Sequence, residues 1–355
     1  METIDILRSA VDRKVSDIMF ITGAPVAFKQ NGRIERADTD KLMPDTSFKL
    51  VEGVYELAGN RDMTKLLETG DDDFSFSVPS LSRFRVNAFR QRGSLAAVIR
   101  VVSFDMPSFN SLGIPESVMS FASVTKGMVL VTGPAGSGKS TTLACLINQM
   151  NHNRSGHIIT IEDPIEFLHR HDKCMVTQRE LSSDTVSYNA ALRAVLRQAP
   201  DVILLGEMRD YDTIKTAITA AETGHLLIST LHTIGASNTI DRIIDSFPPG
   251  QHEQIRTQLS MALQGVVSQQ LVPAKGGGVI PAFEVMKVNN AISNLIRESK
   301  AHQIDSVIFS STAEGMISMD SYLINLVRED KITEETAINY TSNRDQMAKR
   351  LQAIR

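Results

Sequence analysis

Apolar residues recur along this chain in two rhythms. In the first hundred positions they alternate with polar residues or return at helical spacing. From Val129 onward they come in solid runs separated by amphipathic stretches. Ile4, Leu7 and Val11 predict an amphipathic helix over 2–14. A strand is expected in 16–23, then a hairpin from 26–30 and 32–34 with Asn31-Gly32 as its tight turn. Residues 47–69 predict one or two helices, and Asp71-Asp72-Asp73 reads as a solvated acidic turn. Alternation predicts strands at 74–78, 83–90 and 96–102. These elements make a small α+β domain over 1–102, and the Pro- and Gly-bearing stretch 103–116 is read as a linker.

The remainder, 117–355, follows the second rhythm. Buried strands are expected at 129–132, 157–161, 202–205 and 226–230, with a minor one at 175–177. Helices at 187–198 and 212–222 lie between them, which implies a parallel sheet covered on both faces. Gly276-Gly277-Gly278 marks a hairpin, and 290–355 reads as mainly helical. The fold class is therefore α/β.

Composition narrows the function. A net charge of −4 argues against a protein that coats nucleic acid. Two cysteines, Cys145 and Cys174, cannot make a disulfide framework and suit a reducing cytosol. No apolar run approaches the ~18 residues of a membrane span, and the N-terminus shows no export signal. The chain is expected to be cytoplasmic, without direct membrane insertion.

The chemistry centres on Gly133, Pro134, Ala135, Gly136, Ser137, Gly138, Lys139 and Ser140, which match the phosphate-binding pattern G-x-x-x-x-G-K-[ST]. A buried strand precedes the loop and a helix opening with Thr141 follows it, as the pattern requires. Glycines let successive N–H groups face one phosphate chain, and the helix N-terminus adds its dipole. Lys139 would reach the β- and γ-phosphates, and the Ser140 hydroxyl would ligate Mg²⁺. Residues 133–141 are thus the candidate ATP-binding set.

Three further strand ends carry polar groups, and in an open parallel sheet ligands sit at the carboxyl ends of strands. Glu162, Asp163 and Glu166 follow one apolar run. Crowded carboxylates of this kind repel one another unless a cation or ordered water lies among them. Glu207 ends a second run in the manner of a Walker B acid, and His232 follows a third. Each has a plainer alternative. Asp163 and Glu207 could cap helices, and His232 could be an interior hydrogen-bonded histidine. Ser140, Glu207, Glu162 and Asp163 are the candidate Mg²⁺ ligands. Arg83 and Arg85 share one strand face with Arg100 on a neighbouring strand, either a solvated basic face or guanidiniums aimed at phosphate on another subunit. His169, His171 and Cys174 offer too few thiolates for a structural zinc site.

The set 133–140, Thr-Ile-Glu-Asp-Pro-Ile-Glu at 160–166, Gly-Glu-Met-Arg-Asp at 206–210, Ala-Ala-Glu-Thr-Gly-His at 220–225 and Thr-Leu-His-Thr at 230–233 resembles the type II/type IV secretion ATPase superfamily. The likeness reaches the first domain through Arg83-Phe84-Arg85-Val86-Asn87-Ala88-Phe89. It implies a PAS-like N-terminal domain, a RecA-like P-loop ATPase domain with a helical C-terminal part, and a homo-hexameric ring with ATP at subunit boundaries. It makes Lys139 and Ser140 the Walker A pair, Glu166 the catalytic glutamate, Glu207 the Walker B acid and His232 part of the His box. It sends Arg85 and Arg100 toward the phosphates. Within the superfamily the chain is most similar to the motors of type IV pilus retraction and twitching motility. Those act on an inner-membrane platform protein of the pilus machinery, at the cytoplasmic face. Assembly and export members usually carry a longer N-terminal region and a tetracysteine insertion. Retraction members carry Ala-Ile-Arg-Asn-Leu-Ile-Arg-Glu, and residues 291–298 match it except that Ser293 replaces the first arginine. The alternatives are a related ATPase powering export or pilus extension, and a RecA-like nucleic-acid motor.

Overall fold

The computed structural model describes residues 2–30, 33–102, 104 and 106–353. The expected turn residues Asn31 and Gly32 lie outside them. The chain forms two compact units, Met1–Asp105 with Ile165–Leu168, and Met106–Pro164 with His169–Arg355.

The first unit runs α1 (Thr3–Asp12), β1 (Asp17–Phe20), β2 (Ala27–Gln30), β3 (Arg33–Arg36), α2 (Pro44–Leu57), α3 (Thr64–Thr69), β4 (Asp71–Val78), β5 (Ser82–Gln91) and β6 (Ser94–Val102). Its sheet is antiparallel in the order β3-β2-β1-β6-β5-β4. Alternation decides what each face carries. Phe84, Val86 and Ala88 of β5 are buried with Ile18, Phe20 and Ile99 against Ile6, Leu7, Val51 and Val54 of the helices. Arg83, Arg85 and Asn87 fall on the opposite face.

The acidic turn expected at 71–73 is instead the start of β4. Asp72 is the reason. Its side chain is fully buried and takes hydrogen bonds from Tyr55, Arg61 and Lys65. Cations from a neighbouring helix and loop made an inward carboxylate tolerable, which no local pattern announces.

In the second unit an irregular stretch leads to α4 (Glu116–Met119). Then come β7 (Gly127–Thr132), α5 (Lys139–Asn153), β8 (Gly156–Glu162), β9 (Cys174–Glu180), α6 (Tyr188–Val195), β10 (Val202–Leu205), α7 (Tyr211–Glu222), β11 (Leu226–Leu231), α8 (Ala236–Asp245) and α9 (His252–Ala262). The hairpin β12 (Leu263–Pro273) and β13 (Val279–Lys287) follows, then α10 (Asn290–Arg297), α11 (Ile304–Ser310), α12 (Met319–Arg328), α13 (Glu334–Tyr340) and α14 (Arg344–Gln352). The sheet order is β13-β12-β7-β11-β10-β8-β9, parallel except for β13. The stretch expected as a minor strand at 175–177 is the full edge strand β9. One sheet face, with Met128, Leu130, Ile159 and Leu227, packs against the helices from α6 to α11. The other, with Val129, Val131, Ile158 and Ile228, packs against α4 and α5. Two covered faces explain why these strands are apolar throughout rather than alternating. Among the described residues no helix is long and apolar enough to cross a membrane.

Candidate functional site

Strand β7 is buried at every position, and it delivers the chain into the loop at the carboxyl edge of the sheet. Two glycines are forced there. Gly133 has φ +141°, and a Cβ on it would stand 2.1 Å from the Gln269 carbonyl oxygen. Gly138 has φ +87° and is the N-cap of α5. Being glycine, it offers the first turn of α5 no side-chain acceptor, so the amides that open the helix keep their capacity for an anion. Lys139 is 8% exposed, and its ammonium donates to the Gly133 and Pro134 carbonyls at 2.8 and 2.9 Å. The Ser137 and Thr132 hydroxyls are buried without a hydrogen-bond partner among the described residues. A curled backbone, a buried ammonium on loop carbonyls and an orphaned hydroxyl inside the loop fit a phosphate chain. Ser140 and Thr141 are half-buried in the first turn of α5.

The other strand ends of the same sheet hold the acids. Glu162, at the end of β8, accepts from the Thr160 hydroxyl at 2.6 Å and the Gln178 amide at 3.2 Å. Asp163 is exposed and no helix follows it directly, so it is not a helix cap. Glu207, just past β10, is 14% exposed in its side chain, and its Oε2 lies 2.7 Å from Arg209 Nε and 3.4 Å from His232 Nε2. The cap of α7 is Asp210, which accepts from Thr213 N at 2.9 Å, and this removes the capping alternative for Glu207. His232 is not interior, since its side chain is 52% exposed. Among the described residues no three His, Cys, Asp or Glu side chains converge as a protein-made metal cage. A hydroxyl at the helix start and one acid are the donor set expected for Mg²⁺, which keeps several waters and takes phosphate oxygens as ligands. His171 is occupied as an acceptor from Val176 N, and burial lowers the pKa of His169 to about 4.

Three participants received no role from the sequence. Arg209 pairs with Glu207. Tyr188 places its hydroxyl 2.8 Å from the point a Cβ on Gly206 would occupy. Burial first, then the charges of Glu207, Asp163 and Glu162, push that phenol above its ordinary range and keep it protonated. Gln269 of β12 accepts from the Thr142 hydroxyl at 2.7 Å and backs the loop. Its signal was a polar run, Ser268-Gln269-Gln270, inside an apolar strand.

In the first unit, Arg85 and Arg100 are directly opposite on β5 and β6, and both are exposed. With Asp17, Asp73 and Asn87 they line a cavity of about 280 Å³. Arg100 Nε donates to Asp17 Oδ1 at 3.1 Å. Glu166 is exposed, on the segment Ile165–Leu168 that belongs to this unit.

The family described as type II/IV secretion system protein matches residues 3–338. The chain belongs to that family. Among the secretion-system proteins, it is 42% identical over 337 residues to the type IV pilus retraction ATPase PilT of Pseudomonas aeruginosa, covering 95% of this chain and 97% of that one. It is 46% identical over 308 residues to a twitching motility protein of Neisseria gonorrhoeae, covering 86% and 82%. The crystal structure of the pilus retraction motor PilT with bound ADP superposes with a TM-score of 0.88 at 44% identity, covering 98% and 99%. The two-unit secretion-ATPase fold and the use of nucleotide agree with this membership.

Proposed function

We propose that this chain is the ATP-hydrolysing subunit of a hexameric motor that drives type IV pilus retraction. The observation that carries the reading is the prebuilt phosphate loop, in a chain similar over nearly its whole length to a pilus retraction ATPase. In this reading residues 133–141 bind ATP, with Lys139 leaving the Gly133 and Pro134 carbonyls for the β- and γ-phosphates. Ser140 and Glu207 would hold Mg²⁺, with Glu162 and Asp163 as further candidate ligands. Bound Mg²⁺ supplies neutralisation of charge on the phosphate oxygens. Glu166 orients the attacking water and takes its proton. Arg85 and Arg100, reaching phosphate bound by another subunit, balance charge on the transferred phosphoryl group together with that subunit's phosphate loop. His232 and Arg209 hold the Glu207 carboxylate in place. The domain limits implied are 1–102, a linker 103–116, and 117–355. The motor works at the cytoplasmic face of the inner membrane, against a platform protein of the pilus machinery.

Steady-state hydrolysis by the purified protein, with Mg²⁺ and with chelator, tests the enzyme, and a deletion strain tests the direction. Excess pili with lost twitching mean retraction, and absent pili mean assembly. Ser293 is the observation that keeps the second outcome in view. Its hydroxyl donates to the Ser260 carbonyl at 3.0 Å, which ties α10 to the end of α9 where the retraction members carry a cation.

A further inference from the structure

Helix α8 starts four residues after His232, and its own N-cap gives it nothing. Gly235 has φ +88° and no side chain to accept from the first turn. The sheet supplies the acceptors. Ser268 Oγ accepts from Gly235 N at 2.9 Å, and Glu284 Oε1 accepts from Ala236 N at 2.8 Å. Ser268 and Glu284 face each other across the β12–β13 ladder. The second oxygen of Glu284 accepts from Met319 N, the first residue of α12, at 3.4 Å. One buried carboxylate therefore holds the N-termini of two helices. One of them leads away from the His232 loop, and the other belongs to the helical C-terminal part. Both dipoles favour negative charge at this point. Burial, reinforced by Asp305 and Asp320, works the other way and raises the Glu284 pKa.

The same strand touches the phosphate loop. Alternation puts Gln269 on the face opposite to Ser268 and Gln270. Gln269 takes the Thr142 hydroxyl and lies against Gly133 and Gly138. On the other face, Gln270 donates to the Tyr340 carbonyl at 3.4 Å. All three polar side chains are buried in the sheet, where an unmade hydrogen bond is costly because water cannot replace it. A shift of the loop against Gln269 is thus resisted until its partners shift with it.

We propose that Glu284 is a positioning residue that carries the state of the phosphate loop and the His232 loop to the C-terminal helices. It rests on the ATP-site reading above. In the PilT-like motor it would be the link by which nucleotide changes the part of the chain beyond the ATPase sheet.

Hydrogen exchange of the full-length protein, with and without Mg²⁺ and ADP, tests this in wild type, Glu284→Gln and Glu284→Ala. The glutamine is near-isosteric and can accept from one helix only, and the shorter bond to Ala236 keeps its oxygen. In wild type, nucleotide should protect 133–142 and change exchange over 319–324 by about threefold or more. In Glu284→Gln the change over 319–324 should vanish while the loop and the start of α8 still respond. In Glu284→Ala it should be lost at both helices. An undiminished response over 319–324 in either variant overturns the proposal. So does a wild type whose loop is protected while 319–324 stays unchanged. If nucleotide leaves 133–142 unprotected in wild type, the ATP-site reading itself fails and the proposal with it.

Discussion

Two regions of this molecule carry cations suited to phosphate, and they are built in opposite ways. In the second unit the ammonium of Lys139 is buried, held by two carbonyls, and set in a loop where Gly133 and Gly138 leave no room for a side chain. In the first unit Arg85 and Arg100 stand exposed on an open sheet face, and Asp17 already offsets part of their charge. A buried, preorganised cation loses little freedom when an anion arrives, and works in a medium that screens it weakly. Exposed guanidiniums give up side-chain freedom, and water screens them, so each contributes little alone. In the proposed function the loop is therefore the element that binds, and the arginine face acts only on phosphate already held by another subunit.

That contrast can be broken most directly at Lys139. Lys139→Ala should lose turnover by ~10²-fold or more and lose nucleotide affinity with it, measured by steady-state hydrolysis beside fluorescent-nucleotide titration. Near-normal affinity would show that the loop is not the main binder. Glu166→Gln should separate the two properties, with nucleotide still bound tightly and hydrolysis reduced by roughly 10²-fold. Arg85→Ala and Arg100→Ala should each cost about tenfold in turnover, the worth of one charge-assisted hydrogen bond. Affinity should hardly move, and stability should stay within about 0.5 kcal/mol because the side chains are exposed. A large loss of affinity in either arginine variant would erase the distinction between the two regions.

The smallest effect compares buried carboxylates in the two units. Burial raises the Asp72 pKa, but hydrogen bonds from Arg61, Lys65 and Tyr55 outweigh it and leave the carboxyl below its usual 3.8. Asp72 thus adds stability that is present above that value and lost as pH falls through the lowered one. Glu284 has the opposite sign. Its pKa is raised above 4.5, so the folded state binds the extra proton, and stability declines as pH rises through the raised value. Denaturant melts across the acid range should show Asp72→Asn flattening the low-pH loss and Glu284→Gln flattening the decline above it.

Much of the candidate site could be read before folding, because its chemistry needs local backbone. The loop 133–140, the acids at 162 and 207 and His232 each follow an apolar run, and such runs become strands whose carboxyl ends meet on one edge. What was missed is of another kind. Asp72 reads as a turn residue until Arg61 and Lys65 arrive from outside its strand. Tyr188 and Gln269 carry no motif, and become part of the site only when α6 and β12 settle beside β10 and the loop.

By itself, then, the amino-acid sequence determined the α/β class, the phosphate loop and the strand-end acids, since spacing of 2.0 or 3.6 residues and the glycine pattern act within a few residues of chain. Only the tertiary structure decided which polar groups are paired. The Ser268–Glu284 cap of α8 and the Glu207–His232 contact join residues distant in sequence, and Asp72 is buried by groups from outside its own strand. Their energies come from desolvation and proximity, and neither exists until the sheet has closed over them.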